Sequence, residues 1–468
     1  MKTNVTVVIL AAGLGTRMKS DKAKVLHQAG GDTLLNHVIR AALHVAAPEQ
    51  IVAVVGHQAD EVRRSVKIPG VRFALQSEQK GTGHAVSCAR DLAAEWPGLL
   101  LILNGDGPLL KPATLEAFLA LADSASLAGA VMAAELPDPT GYGRLLLDSN
   151  GNLAAVVEEK AASPAQRAIR EVNTGQYWFR APIFWKHIDE LQPSNPAREF
   201  YLTDMIEILR RHGHALGRFL AADHTELLGI NTRLELSVAD RILRQRKLEE
   251  LMLSGVTIER PETVTIDVDV EVGHDTLIEP HVSLRGSTRI GAQCHIGAGA
   301  VLGDCEIADQ VHILPYVVAE DARIGAASHV GPFARLRKDA VVSEHCHIGN
   351  FVELKNTQMH RGAKASHLAY LGDASIGEDT NVGAGTITCN YDGIQKHRTQ
   401  IGDRVFLGSN STLVAPVTIG SGAYIAAGSV ITENVAEDSL ALGRARQVDK
   451  PGWAKRRRDR QKKTEPEV

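Results

Sequence analysis

Residues 290–302 read IGAQCHIGAGAVL, with an aliphatic side chain at every sixth position. A period of six fits neither an amphipathic helix nor an alternating strand. It is typical of a parallel β-helix, in which each hexapeptide supplies one short strand and one turn and points its aliphatic residue into a narrow prism. Three unbroken runs share this spacing: Val272, Ile278, Leu284, Ile290, Ile296 and Leu302; Ile324, Val330, Leu336, Val342, Ile348 and Leu354; and Ile401, Leu407, Leu413, Ile419, Ile425 and Ile431.

The repeat also predicts which side chains the core excludes, and the place where the spacing is lost indicates a loop. The prism is too slim for most aromatic side chains, and no Trp occurs between Thr263 and Leu440. Between Val382 and Ile401 the spacing is lost, and residues 388–396 read TCNYDGIQK. Polar, aromatic and basic residues in one excursion favour a functional loop, the alternative being a tolerated insertion.

The first half of the chain is organised differently. Short apolar runs predict buried strands at residues 5–11, 51–55, 99–103 and 128–134. Amphipathic stretches predict helices at residues 34–45, 83–96 and 112–122. Asp32 or Thr33 is placed to cap the first helix, and Thr82 the second. Strands that alternate with helices indicate a Rossmann-like α/β domain with a mostly parallel sheet covered on both faces.

A longer helix over residues 232–254 connects the two halves. Its predicted apolar stripe consists of Leu234, Val238, Ile242, Leu248, Leu251 and Met252. The expected segments are an α/β domain at 1–233, a helical linker at 234–254, a β-helix at 255–440 and a basic tail at 441–468. Residues 455–463, KRRRDRQKK, predict a solvated, disordered tail, the alternative being attraction of a phosphorylated ligand.

Composition excludes several classes of protein. The 468 residues carry 51 Lys and Arg against 55 Asp and Glu, a balance that predicts no binding to nucleic acid or to an anionic membrane. Five cysteines without a CxxC pair predict neither disulfides nor a cysteine zinc site. No apolar run approaches the ~20 residues that span a bilayer. Residues 5–12 resemble a short signal core, but GLGTR follows at once, so we expect a cytoplasmic protein.

The first strand runs into a glycine turn, AAGLGTRM at residues 11–18. Gly13 and Gly15 allow backbone N–H groups to approach a phosphate chain, and Arg17 and Lys24 add charge-assisted contacts. The turn lacks the third glycine of a dinucleotide fingerprint, and the chain has no P-loop. By itself this motif is a weak signal for a phosphate site.

Asn104, Gly105 and Asp106 follow another buried strand. A carboxylate just beyond the carboxyl end of such a strand lies where open α/β sheets bind ligands. Asp106 is therefore a candidate ligand for Mg²⁺, which prefers one or two carboxylates together with phosphate oxygens. A turn or a helix cap is an equally good interpretation of this Asp.

In the second half, successive coils of the β-helix carry Arg337, Lys355 and His367, and the excursion at 388–396 follows them. Cations suit a phosphorylated ligand, and a neutral imidazole suits a general base. His345 and His347 also permit a zinc site by spacing alone.

Ordered motifs now span almost the whole chain. They are AAGLGTRM (11–18), KVLH (24–27), QSEQKGTGHA (76–85), GYGR (141–144), NTG (173–175), YLTD (201–204), GINTR (229–233), GPFARLR (331–337) and SHLAYLGD (366–373). Together they resemble the bifunctional N-acetylglucosamine-1-phosphate uridyltransferases/glucosamine-1-phosphate acetyltransferases. The resemblance implies a left-handed β-helix, a homotrimer with shared sites, and a UDP-N-acetylglucosamine product that feeds peptidoglycan and lipopolysaccharide synthesis.

For the first half, the resemblance implies attack of N-acetylglucosamine 1-phosphate on the α-phosphorus of UTP, with release of pyrophosphate. Arg17 and Lys24 act on the phosphates, and Asp106 and Asn231 hold Mg²⁺. The implied nucleotide and sugar contacts are Leu10, Ala11, Ala12, Gly13, Lys24, Gln76, Gly81, Thr82, Asn104, Gly105, Asp106, Gly143, Glu158, Asn173 and Asn231.

For the second half, the resemblance makes His367 the base that deprotonates glucosamine 1-phosphate, whose amine attacks acetyl-CoA. The implied sugar-phosphate contacts are Arg337, Lys355, Tyr370, Asn381 and Lys396. The implied acetyl-CoA contacts are Ala384, Asn390, Tyr391, Ser409, Ala427 and Arg444. Two alternatives stay open: a uridylyltransferase whose β-helix serves only oligomerisation, and an inactive sugar-nucleotide sensor.

Overall fold

The computed structural model describes residues 4–123, 126–149, 151–193 and 198–462. The chain divides into two units, Met1–Glu250 with Ile266–Asp269, and Leu251–Thr265 with Val270–Val468. Within the described ranges, every helix is too short or too polar to cross a membrane. All five cysteines are free, in agreement with the sequence.

The first unit is built on one mixed β-sheet. Its strands, in spatial order, are Ala215–Leu220, Leu127–Glu135, Glu171–Arg180, Leu99–Asn104, Val5–Ala11, Ile51–Val55 and Arg72–Leu75. The last four are parallel to one another, whereas Glu171–Arg180 is antiparallel to both of its neighbours. A hairpin of Gly143–Leu147 and Leu153–Val157 joins this antiparallel strand. The predicted mostly parallel sheet is therefore confirmed, with two strands, Glu171–Arg180 and Leu153–Val157, running opposite to the others.

Helices surround this sheet, at Leu34–Ala42, Ala59–Ser65, Thr82–Cys88, Arg90–Ala93, Pro112–Ala120, Pro164–Arg167, Ala181–His187, Asp204–Arg211 and Arg233–Leu253. Val7 and Ile9 enter one apolar core and Val8 enters another, as the two-residue period of a strand requires. Thr33 caps the first helix by accepting a hydrogen bond from Asn36 N at 3.2 Å. The predicted second helix breaks near Ala89 instead of continuing to residue 96.

The long helix Arg233–Leu253 buries only part of the predicted stripe, including Leu248 and Leu251. Ala239 and Leu243 pack in an apolar cluster of the first unit, and this packing sets the orientation of the helix. Leu234 is 77% exposed and Met252 37% exposed, so the predicted stripe is wrong at these two residues. The division of the chain at residues 233, 254 and 440 stays a proposal.

The second unit is a parallel β-helix with three columns of strands, which we call its faces. The first face contains Thr257–Ile258, Leu277–Ile278, His295–Ile296, His312–Ile313, His329–Val330, Asn381–Val382, Phe406–Leu407, Tyr424–Ile425 and Leu440–Ala441. The second contains Ser283–Arg285, Val301–Gly303, Val318–Glu320, Arg335–Leu336, Ile387–Cys389, Thr412–Val414 and Val430–Ile431. The third contains Glu271–Val272, Arg289–Ile290, Glu306–Ile307, Arg323–Ile324, Val341–Val342, Gln358–Met359, Ala374–Ile376, Thr399–Ile401 and Val417–Ile419. His347–Lys355 and Lys364–Gly372 are longer and run across the first and second faces.

The six-residue period is confirmed as the core of this unit. Every aliphatic residue of the three runs is buried except Val272, which is half-buried at an early coil. Aromatic rings are excluded from the prism, and Tyr316, Phe333 and Phe351 instead stack outside it with centroid separations of 5.2 and 5.5 Å.

The basic tail is corrected by the structure. Trp453–Lys462 is a helix, so the prediction of a disordered tail is wrong for these residues. The Arg457 guanidinium lies 5.7 Å from the centroid of the Trp453 ring, a cation–π contact that a chain without local structure does not hold. Residues 463–468 lie outside the described ranges.

Candidate active sites

A cavity of about 620 Å³ opens at the carboxyl ends of Val5–Ala11 and Leu99–Asn104 in the first unit. The predicted residues that line it are Leu10, Ala12, Gly13, Arg17, Lys24, Gln76, Gly81, Thr82, Asn104, Asp106, Gly143, Glu158, Asn173 and Asn231. Ala11 and Gly105 lie behind the wall, where Gly105 N donates to Leu10 O at 2.9 Å. Parallel strands bring their carboxyl ends to one edge, so this clustering follows from the topology.

The glycine turn brings two cations into this cavity. Gly15 has a φ of +64°, and a Cβ atom there would lie 2.6 Å from Lys24 Cβ, so only glycine fits. Arg17 Nη2 donates to Asn231 Oδ1 at 2.7 Å, and Lys24 Nζ donates to the same oxygen at 3.1 Å. A pair of converging cations suits the charge of a triphosphate.

Asp106 and Asn231 meet around one cation. The Lys24 ammonium forms an ion pair with the Asp106 carboxylate while it contacts Asn231 Oδ1. Ile230 N donates to Asp106 O at 3.0 Å, which holds the two segments together. Two side-chain oxygens that share an ammonium are close enough to share a divalent cation, and oxygen donors are what Mg²⁺ prefers. The residues present therefore fit a magnesium site.

Glu235 supports this site and was not predicted. Its Oε2 accepts hydrogen bonds from the backbone N–H groups of Asn231 and Thr232, both at 2.7 Å. The Thr232 hydroxyl accepts in turn from Glu235 N at 3.2 Å. This reciprocal pair is a capping box, and its Thr-x-x-Glu pattern is the sequence signal for it.

The opposite wall is polar and partly desolvated. Burial, followed by the charge of Asp204, raises the pKa of Glu158. Burial also raises the pKa of Tyr142, with further contributions from Glu235 and Asp106. Tyr142 also lines the cavity and was not predicted as a site residue, although the GYGR motif that contains it is a signal that could have found it. Asn173 is held by the Tyr177 hydroxyl, with Nδ2 to Oη at 2.8 Å.

On the remaining wall, hydrogen bonds hold the side-chain amide of Gln76 close to the helix Thr82–Cys88. Gln76 Nε2 donates to Gly81 O at 3.1 Å and to His84 Nδ1 at 3.0 Å. The Thr82 hydroxyl accepts from Leu202 N at 3.0 Å, so its predicted role as a helix cap is wrong. The N-cap residue of this helix is Gly81. The Thr82 hydroxyl instead connects two chain segments beside the cavity.

A second cavity, of about 860 Å³, runs along one corner of the β-helix and contains Arg337, Lys355 and Lys396. The hydrogen bond and the charge of Lys396 lower the pKa of Lys355, and Arg337 adds to the effect. Asp373 lies in the same cavity. Cations this close together favour an anionic ligand. We call this edge the cation corner.

Two further predicted residues meet at the cation corner. A Cβ atom on Gly372 would lie 2.5 Å from the Tyr370 hydroxyl and 2.9 Å from Asn390 Nδ2, so the absent side chain leaves room for both. Asn390 donates to the Asp373 carboxylate. Asn390, expected among acetyl-CoA contacts, thus lies with the sugar-phosphate set.

The excursion at 388–396 is an ordered loop. Asp392 accepts from Ile394 N and Gln395 N, each at 2.7 Å, and from His397 Nε2 at 2.7 Å. These bonds lower the pKa of Asp392. Tyr391 pairs with Lys396 across the loop and is 60% exposed.

His367 lies at a different edge, which we call the histidine corner. Its Nδ1 is 2.7 Å from Asn350 Oδ1 on the preceding coil. Backbone N–H groups connect the turns of this corner, from Gly385 to Leu368 O (2.8 Å), from Asn410 to Ala384 O (2.7 Å) and from Gly428 to Ser409 O (2.8 Å). Ala427 precedes Gly428, and the Arg444 side chain lies beside it.

Sequence alone did not predict that these residues separate into two sets. The cation corner carries Arg337, Lys355 and Lys396, whereas the histidine corner carries His367 and most acetyl-CoA candidates. Asn381 belongs to neither, since it lies on the first face and pairs with Lys364 and Phe406. His345 and His347 have no third His, Cys, Asp or Glu ligand within reach in the described part of the chain, so the zinc alternative gains no support.

The fold and the two cavities define a class, an α/β nucleotide-binding domain joined to a hexapeptide-repeat transferase. Residues 7–173 match the MobA-like NTP transferase domain, and residues 269–304 and 398–433 match the bacterial transferase hexapeptide (six repeats). A "Bifunctional protein GlmU" of Solibacter usitatus is 54% identical over 458 residues, covering 98% of each chain. Its counterpart in Koribacter versatilis is 46% identical over 460 residues, also covering 98% of each chain. The chain belongs to the bifunctional GlmU family.

Proposed function

We propose that this chain makes UDP-N-acetylglucosamine in two steps, first acetyl transfer to glucosamine 1-phosphate and then uridylyl transfer from UTP. The observation that carries the proposal is that each unit holds the residues for one reaction. The first unit has the nucleotide cavity, and the second has a cavity with phosphate-binding cations and, at another corner, the proton acceptor His367. UTP, acetyl-CoA and free thiols are typical of the cytoplasm, where we place the enzyme. The product serves cell-wall synthesis.

Uridylyl transfer requires positioning and charge neutralisation, and no covalent intermediate. Arg17 and Lys24 bind the triphosphate, and Gln76 faces the nucleoside. Glu158 and Asn173 orient the sugar, so that its phosphate oxygen attacks the α-phosphorus of UTP as pyrophosphate leaves. Asp106 and Asn231 would hold Mg²⁺, which neutralises phosphate charge when bound.

Acetyl transfer requires a proton acceptor for the substrate amine. The Asn350 amide oxygen can only accept, so His367 donates from Nδ1 and keeps the Nε2 lone pair free. Nε2 takes a proton from the amine of glucosamine 1-phosphate. The amine nitrogen then bonds to the acetyl carbonyl carbon of acetyl-CoA. The C–S bond breaks to release CoA as a thiolate, which takes up the second proton that the nitrogen loses as the amide forms.

We also propose a homotrimer. The proton acceptor and the phosphate-binding cations lie at different corners of one prism, so a second chain is needed to bring the two sets together. The histidine corner also exposes an apolar row, with Tyr316, Phe333, Phe351 and Leu368 each about half exposed or more. Such a row is the kind of surface that a subunit interface covers.

Two variants test the proposal, with acetyl transfer and pyrophosphate release both measured on the same preparation of each protein. His367→Ala should lower the kcat of acetyl transfer by about 10²–10⁴-fold, the usual worth of a general base, and leave pyrophosphate release unchanged. Asp106→Ala should abolish pyrophosphate release, with little rescue by excess Mg²⁺, and leave acetyl transfer unchanged. A wild-type protein without acetyl transfer would support the oligomerisation module, and one without either activity the sensor.

A further inference from the structure

Two helices of the first unit bring a histidine–carboxylate–histidine cluster together, away from the 620 Å³ cavity. His187 ends the helix Ala181–His187, Glu190 ends the short turn Ile188–Glu190, and His212 follows the helix Asp204–Arg211. His187 Nδ1 lies 2.6 Å from Glu190 Oε1, and His212 Nε2 lies 2.9 Å from the same oxygen. In the described ranges, this is the single group of three His, Cys, Asp or Glu residues whose ligand atoms all lie within 4.8 Å.

The donor set matches a borderline divalent metal. Two imidazole nitrogens and one carboxylate are ligands of Zn²⁺ sites that keep an open position. Bonds of about 2.0–2.2 Å at tetrahedral angles place ligand atoms about 3.4 Å apart, so the hydrogen-bonded contacts need to widen by less than about 1 Å. The His187 side chain is only 6% exposed, which holds one ligand in place.

The Glu190 carboxylate supplies negative charge at the centre of the cluster, where it lies within hydrogen-bond distance of both imidazoles. A third imidazole, that of His214, lies beside them, with its ring centroid 5.9 Å from that of His187. Arg211 contacts Glu190 Oε2 at 3.2 Å, but its side chain is 63% exposed and can swing into solvent.

We propose that His187, Glu190 and His212 bind a divalent metal ion of the zinc class, at a site separate from the one proposed for Mg²⁺. Imidazole nitrogen favours Zn²⁺ over Mg²⁺, which takes oxygen ligands. On binding, each imidazole moves its proton to the other ring nitrogen, and the metal replaces the hydrogen bonds to Glu190. The ion joins the ends of two helices, and the second of these, Asp204–Arg211, begins three residues after Tyr201, which lines the nucleotide cavity.

The test uses the full chain, stripped of metal with a chelator and kept in excess Mg²⁺ so that oxygen sites stay occupied. Zn²⁺ is titrated against a chromophoric chelator, and the melting temperature is measured with and without Zn²⁺. Glu190→Gln and His212→Asn should each weaken one Zn²⁺ equivalent by at least about tenfold, because even outer-shell partners of metal ligands are worth about 10–100-fold in affinity. Zn²⁺ should raise the melting temperature of wild type and of neither variant.

Two control variants test whether histidines elsewhere in the chain account for the Zn²⁺ binding. His274→Asn removes an exposed His–Asp pair of the β-helix, with its atoms 2.9 Å apart, and should bind Zn²⁺ like wild type. A His312→Asn/His329→Asn double variant removes two imidazoles that stack at 4.8 Å on the first face. The proposal is overturned if wild type binds no Zn²⁺ beyond what this double variant loses, or if both cluster variants bind as wild type does. Since neither readout is activity, either result leaves the proposed reactions untouched.

Discussion

At the scale of single residues, Gly107 lies beside the proposed metal ligand Asp106. A substitution there can distinguish the effect of backbone conformation on stability from the effect of the space around an added Cβ atom. The φ of Gly107 lies outside the left-handed region, and a Cβ atom would meet its nearest neighbour, Asn104 O, at an ordinary 3.7 Å. Gly107→Ala should therefore stabilise the first unit against urea by about 0.4–1 kcal/mol, because the unfolded chain loses freedom, and should leave pyrophosphate release intact. Gly151→Ala is the matched control: φ is +78° in equally open space, so the same change should destabilise by about 1 kcal/mol. Equal effects of the two changes would contradict this account.

At the scale of elements, the cation corner couples the strand end at Lys355 to the loop residue Lys396. Their mutual repulsion lowers the pKa of Lys355, so this lysine loses its charge at a lower pH than an ordinary lysine. The KM for glucosamine 1-phosphate should therefore rise on the alkaline side, beginning below pH 10.5, the ordinary value. Lys396→Gln should raise KM at neutral pH and move this alkaline rise to higher pH, since the repulsion is gone. Lys364→Gln, on the first face, should change neither, and a KM that is flat with pH in wild type would refute the coupling.

At the scale of the whole molecule, the two corners predict complementation between inactive subunits. At a glucosamine 1-phosphate concentration far below the raised KM, His367→Ala and Lys396→Ala chains should each show little acetyl transfer but recover part of it when co-expressed. In randomly mixed closed trimers, about one site in four combines an intact His367 from one chain with an intact Lys396 from its neighbour, so about a quarter of the wild-type rate at that concentration is expected. Light scattering should report three chains per particle. No recovery in verified mixed trimers would show that each site is built within one chain.

Local patterns in the sequence determined much of this protein. The β-helix follows from a six-residue period because each coil contacts mainly the next, as Ile290 pairs with Ile307 and Ile307 with Ile324. The nucleotide cavity follows from a glycine turn and an Asp that each come directly after a parallel strand. The carboxyl ends of these strands lie at the same edge of the sheet, so the two motifs are close together.

Tertiary structure alone decided what depends on contacts between distant segments. The contact of Lys24 with Asp106 joins positions 82 residues apart, and that of Arg17 with Asn231 joins positions 214 apart. In the helix Arg233–Leu253, tertiary packing also buries Ala239 and Leu243, which the predicted apolar stripe did not include. The orientation of the coils likewise decides that the cations lie at a different corner from His367. The packing of two helices decides that His187 contacts the same carboxylate as His212. A one-dimensional pattern carries no such information, because the free energy of these contacts belongs to pairs that only folding brings within reach.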